Sequence, residues 1–234
     1  MATKTVDKWG MVGYSGTTSF ANTRGQASGN TLSNNGTGTN QRYIYAYYAS
    51  GGKGSEWTLN RGFFAFDMTT YQTGYTISDL KFYYKPTSSG SGTCKVAIVK
   101  STAQGDADTN LTTADYDSFD DSVTYAATDG SLVWQDSTTL SYFDLNSTAV
   151  SAITSTGYLK LCILEWTHDY SDNSPFAATN ISGFGNGSIG NRFYLSFTAT
   201  LTGWSAGDIN STTSPQETLN SVAYTSFVGV NGLQ

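Results

Sequence analysis

Arg61-Gly-Phe-Phe-Ala-Phe-Asp67 is the stretch on which the fold turns. In an extended chain alternate residues fall on opposite faces, so Phe64, Phe66 and Met68 line one side while Arg61, Phe63, Ala65 and Asp67 line the other. Both sides are partly apolar. The pattern predicts a central strand covered on each face, with Arg61 and Asp67 at its two ends placed to pin neighbouring loops. Tyr142-Phe-Asp-Leu145 supplies a second strand that runs into Asn146-Ser-Thr-Ala-Val-Ser-Ala-Ile-Thr154, where a helix is expected. Asn146 can accept its first free amides, Val150 and Ile153 share a face, and Gly157 follows its end.

Further strands flank these. Tyr43-Ile-Tyr-Ala-Tyr-Tyr48 alternates and is followed by the turn Gly51-Gly-Lys-Gly54. In Ile77-Ser-Asp-Leu-Lys-Phe-Tyr-Tyr-Lys85, Leu80, Phe82 and Tyr84 alternate with Asp79, Lys81, Tyr83 and Lys85, as a half-exposed strand requires. Cys94-Lys-Val-Ala-Ile-Val-Lys100 follows, then shorter strands over 122–126 and 132–135. Tyr158-Leu-Lys-Leu-Cys-Ile-Leu-Glu-Trp166 is the most apolar segment and is predicted to be central, with strands over 191–201 and 221–230 completing the set. Residues 1–41 are poor in apolar runs. They are expected to form an N-terminal arm or extended segment ahead of a sandwich over 42–234, or else two short strands and a loop at Asn34-Asn-Gly-Thr-Gly.

Composition bounds the rest. At 234 residues the chain can bury roughly 70% of its unfolded surface and fold without covalent staples. Its 25 glycines and 16 tyrosines, with only three prolines, suit short strands joined by turns. A net charge of -6, with scattered Lys and Arg, argues against nucleic acid as a partner. No stretch approaches the roughly 20 apolar residues that span a bilayer, and nothing over residues 1–10 resembles an export signal, so synthesis in a cytoplasm without membrane association is expected. Cys94 and Cys162 both lie on expected strands, as buried thiols or as a disulfide.

The order of these segments from Arg61 to Leu201 resembles that of the DNRLRE-type and carbohydrate-binding-module-like jelly rolls. An Arg-led strand ending in Phe-Asp is followed by a Gly turn, Ile-Ser-Asp-Leu-Lys-Phe-Tyr, the Val-Ala-Ile-Val strand, Tyr-Phe-Asp-Leu with its helix, and Arg192-Phe-Tyr-Leu-Ser-Phe. The resemblance covers the middle three-fifths of the chain. It implies an all-β, single antiparallel jelly-roll β-sandwich with one short helix, a fold seen in surface modules, glycan binders and bacteriophage virion proteins. Leu111-Thr-Thr-Ala-Asp-Tyr-Asp-Ser-Phe119 looks like a stretch of phage structural proteins.

The expected function is accordingly that of a virion structural protein on the particle surface. It would be a capsid decoration or cement subunit bound to the major capsid protein and to copies of itself. The alternative is a carbohydrate-binding module of a tail fibre or adhesin, with Tyr45, Tyr47, Trp57, Tyr170 and Trp204 as candidate contacts for a glycan or partner and Trp134 and Trp166 as further rings. Catalysis is not expected. His168 is the only histidine, its neighbours suggest a surface loop, and no pair of carboxylates stands out for acid–base work. No cofactor is expected beyond a structural Ca²⁺. Asp106, Asp108 and Asn110 place side-chain oxygens at alternate positions, with Asp117 as a closing ligand, although Leu111 and Asp117 depart from the EF-hand pattern.

Overall fold

The computed structural model describes residues 1–34, 44–51, 54–85, 94–105, 109–134, 140–174 and 193–202. In chain order the strands are β1 (Ala2–Thr5), β2 (Lys8–Gly16), β3 (Thr31–Asn34), β4 (Tyr45–Gly51), β5 (Gly54–Asp67), β6 (Tyr75–Tyr84), β7 (Cys94–Ser101), β8 (Phe119–Thr124), β9 (Val133–Trp134), β10 (Ser141–Asp144), β11 (Tyr158–Glu165) and β12 (Phe193–Leu201). Helix α1 (Phe20–Arg24) follows β2 and helix α2 (Ser147–Thr156) follows β10. Single turns of 3-10 helix occupy Thr69–Tyr71 and Thr113–Asp117, and one π-helical turn spans Trp166–Tyr170.

The strands form two antiparallel sheets. One runs β1-β12-β6-β10; the other runs β3-β2-β5-β11-β7-β8, with β4 pairing on β5 and β9 on β7. Following the chain, β5, β6 and β7 alternate between the sheets, and so do β8, β10, β11 and β12, which is jelly-roll connectivity. The chain also changes sheet between β1 and β2: the Val6 amide donates to Phe193 in one sheet and the next amide, Asp7, to Ala65 in the other.

The alternation in β5 holds. Phe64, Phe66 and Met68 are fully buried on one side, and so are Arg61, Phe63 and Ala65 on the other. Phe64 meets Phe82 of β6 and Phe193 of β12 edge-on, at 5.1 and 4.9 Å, and these contacts join the sheets. The opposite face of β5 is covered by α1 and the 109–118 segment. Leu111 is held there by a reciprocal pair of hydrogen bonds with Asn34, lying so close to Gly10 that any side chain at that position would strike it. Strand β11 is central as expected, paired with β5 on one side and β7 on the other.

Two expectations need correction. Residues 1–34 are not an arm: β2 pairs with β5 along its whole length, β1 with β12, and β3 with β2. The low apolar content of this stretch misled because β2 fills the core with Trp9, Met11 and Val12 between glycines that let neighbouring backbone approach. Backbone contacts instead group residues 1–200 as one unit and 201–234 as another, and the strand expected over 221–230 lies outside the described residues. Nor is there only one short helix. Ser19 caps the five-residue α1, which the lack of any apolar periodicity concealed.

Helix α2 forms as expected, with Gly157 in the left-handed region at its end (φ 75°). The Asn146 side chain accepts from the amides of Thr148 and Ala149 and donates to the Thr124 carbonyl, so it also ties the helix to β8. The face turned to the core is Ala149 and Ile153, with Val150 only partly covered. Asn146→Ala should lower stability by about 1–2 kcal/mol in urea unfolding, and Asn146→Asp, which keeps the cap but not the donor, should recover part of the loss.

Candidate functional site

Arg61 and Asp169 organise one end of the sandwich. The guanidinium donates to both carboxylate oxygens of Asp169 at 2.8 Å, and to the carbonyls of Tyr116 and Arg24 at 2.9 and 3.1 Å. Its plane lies over the rings of Tyr116 and Phe119. Burial works against its charge, but the charge and hydrogen bonds of Asp169 outweigh that, and the pKa stands above its ordinary value. Arg61 therefore pins three surface segments to β5. At the other end Asp67 accepts from the Thr69 amide and hydroxyl and starts the turn at Thr69–Tyr71. These roles are structural: each group is held by partners within the chain.

Asp117, expected as a calcium ligand, sits 3.3 Å from Arg61 Nη1 and shares in that network. Asn110 is exposed; Asp106 and Asp108 lie outside the described residues. Among the described residues no three His, Cys, Asp or Glu side chains are grouped to hold a metal ion. His168 Nδ1 lies 2.6 Å from the Asn173 carbonyl, while its amide donates to Glu165, whose buried carboxylate caps the π-helical turn. Burial raises the Glu165 pKa, although the amides of His168 and Thr167 pull it down. Cys94 and Cys162 are free, and burial pushes both thiols well up, which keeps them protonated and inert.

The expected aromatic contacts do not form one surface. Tyr48 lies opposite Trp57 in the β4–β5 ladder and packs on it at 5.2 Å, so its neighbour Tyr47 points to the other face from Trp57. Tyr170 is half-buried in the π-helical turn after β11. The Tyr45 side chain and Trp204 lie outside the described residues.

A different set of tyrosines comes together on the outer face of the four-stranded sheet. Phe82 and Tyr84, Phe143, Phe193 and Leu195 turn inward, so the residues between them, Tyr83 and Tyr194, turn outward together with Tyr142. Tyr83 is paired across the ladder with Tyr142, and Tyr194 with Thr5, so these four residues make a row across all four strands. Tyr83 and Tyr194 stack at 4.8 Å with their planes 3° apart. That separation is the spacing of adjacent strands, about 4.8 Å. The two rings thus stand upright on the sheet as parallel plates, faces against each other and edges and hydroxyls toward solvent. Burial beside Tyr83 raises the pKa of Tyr194.

Tyr142 is 47% exposed, and the Lys81 ammonium lies over its ring at 4.0 Å while bonding Asp144 at 2.8 Å. The strand alternation already placed Tyr83 and Lys81 on an exposed face. Nothing local signalled that Tyr142 and Tyr194 would be its neighbours.

Comparison with protein-family models, curated proteins and solved structures returns no match. The resemblance to DNRLRE-type and carbohydrate-binding-module-like domains is therefore carried by the order of segments alone.

Proposed function

We propose that the protein is a non-enzymatic assembly module, a bacteriophage capsid-decoration subunit that docks on the shell and on copies of itself through the outer face of its four-stranded sheet. The observation that carries this reading is the upright tyrosine row. A sugar-stacking platform needs ring faces turned to solvent, whereas here Tyr83 and Tyr194 turn one face on each other, Tyr142 packs beside Tyr83, and the Lys81 ammonium lies over one face of Tyr142. What remains exposed is a ridge of ring edges and hydroxyls beside a charged pair, a surface suited to a protein interface, where Tyr gives rigid contact area at small entropic cost. Modest contacts of this kind, repeated by particle symmetry, add to firm attachment through avidity.

Deleting residues 1–41 is not a clean test, since it removes β2, which is paired on both sides, and the edge strands β1 and β3. Tyr142→Arg is the better probe, because the residue is exposed and its loss leaves the core intact. Particles purified from producing cells should carry the protein in fixed ratio to the shell subunit by quantitative mass spectrometry. The variant should fall in occupancy by about tenfold or more, with little change in the melting temperature of the free protein. Absence of the wild-type chain from the particles, or unchanged occupancy of the variant, would sink the proposal.

A further inference from the structure

Strand β10 is an edge of the four-stranded sheet: it pairs with β6 on one side, and no described strand pairs with it on the other. The direction of its backbone groups follows from the residues after it. The Leu145 amide donates to the Leu80 carbonyl of β6, and the next amide, Asn146, to the Tyr125 carbonyl on the opposite side. Because these directions alternate along an extended chain, the amides and carbonyls of Leu140, Tyr142 and Asp144 turn away from β6. Beside them a cleft of about 420 Å³ lies between residues 142–144 and residues 131–133, which leaves this flank of the sandwich open among the described residues.

Edge strands commonly carry features that discourage pairing. In β1, at the opposite edge of the same sheet, Lys4 supplies a charge. In β8, at an edge of the larger sheet, Asp120 and Asp121 do so, and the register against β7 is broken. Strand β10 has no Lys, Pro, Gly or bulge. Its one charge, Asp144, is bonded to Lys81 at 2.8 Å, and the large apolar side chains Leu140 and Tyr142 are 45% and 47% exposed.

The same edge is self-complementary. An antiparallel partner sets outward residues opposite outward residues, so two copies of β10 can meet about a two-fold axis centred on Tyr142, Phe143 or Asp144. Centring on Asp144 opposes like charges and needs the Asn146 amide, which Tyr125 already holds. Centring on Phe143 leaves Leu140 opposite Asn146, the same occupied position. Centring on Tyr142 places Tyr142 opposite its own copy and each Leu140 opposite an Asp144, and every such pair can exchange both its hydrogen bonds. This register sets no charge against its like, covers both exposed apolar side chains and joins the two tyrosine rows end to end across one continuous sheet. We propose that β10 pairs in this register with β10 of a second copy of the chain. The pairing deepens the docking reading above and rests on it for the shell that holds copies side by side. A short edge ladder alone buries far less than the roughly 1,200–2,000 Å² of a stable complex, so the contact is weak in free solution and gains strength from repetition.

The test is disulfide trapping of the free, full-length protein, in which Cys94 and Cys162 are buried and do not compete. Under a mild oxidant at high protein concentration, Tyr142→Cys should give a linked dimer on non-reducing electrophoresis, since the Cα atoms of such a pair stand about 5.5 Å apart. Asp144→Cys, at a side chain 74% exposed, should cross-link about tenfold more slowly, because its two copies lie about 14 Å apart along the ladder. Adding Leu140→Asp to Tyr142→Cys opposes like charges at Asp144 and should slow cross-linking about fivefold, whereas Leu140→Lys should not. All these positions are exposed, so folding is not at risk. Failure of Tyr142→Cys to cross-link, an equal rate for Asp144→Cys, or indifference to Leu140→Asp would each overturn the pairing, whatever the occupancy on particles. Cross-linking as expected, with the chain absent from particles, would instead remove the docking reading and leave the pairing standing.

Discussion

Asp169→Ala is expected to destabilise the folded protein by about 3–5 kcal/mol, because it strands a buried guanidinium without its counter-charge. Arg61 is fully buried and Asp169 is 1% exposed, so water cannot replace the lost carboxylate. The damage should spread beyond the pair. Arg24 donates to the Asp169 carbonyl at 2.6 Å, and Arg61 holds the carbonyls of Tyr116 and Arg24, so one truncation loosens α1, the 113–117 turn and the 166–170 turn together. The pair itself need not contribute much. Its Coulomb gain is set against the desolvation of two charges, and the double replacement Arg61→Met with Asp169→Leu should cost much less than Asp169→Ala alone. Urea unfolding of the two single variants and the double variant completes the cycle. Glu56→Ala, at an exposed strand position away from this network, is the control and should stay within about 0.5 kcal/mol of wild type. If Asp169→Ala were as mild as that control, the pinning role of Arg61 would be wrong.

Phe82→Ala should cost about 3–5 kcal/mol, through lost transfer energy and the cavity it leaves. Phe82 is fully buried near the C-terminal end of β6, with its ring near those of Phe64 and Phe66 from the opposing sheet and Phe193 from the adjacent strand, at 5.1, 6.2 and 6.2 Å. Both sheets close on this side chain, and neither can collapse into the space without pulling its strands out of register. Phe82→Leu keeps most of the volume and should cost about 1.5 kcal/mol or less. The denaturation midpoint should fall in that order while the slope of the transition stays constant; a changed slope would mean that the unfolded or native ensemble had shifted instead.

The residues that were legible beforehand are those whose information is local. Phe63 and Phe64 announce a strand buried on both faces because successive side chains point to opposite sides, whatever the partner. Asn146 and Gly157 announce the ends of α2 because capping involves only amides and carbonyls within the same few residues. Strand β2 was harder to read, since its glycines depress the apolar signal while the close approach they permit only has meaning against Ser33 and Asn60. The candidate contact surface was half legible. Alternation put Tyr83 on an outward face, but its stacking partner is more than a hundred residues away and its ladder partner almost sixty.

Periodicity, caps and composition were thus enough to establish an antiparallel sandwich of alternating strands with a capped helix, because each of those features is written within a few neighbouring residues. Folding in three dimensions alone settled which strands are neighbours. It joined Arg61 to Asp169, aligned Tyr194, Tyr83 and Tyr142 into one row, and left β10 at the edge of its sheet. The reason is that a strand's pattern specifies which face each side chain takes but not what lies across the ladder. That choice belongs to the packing of the whole core.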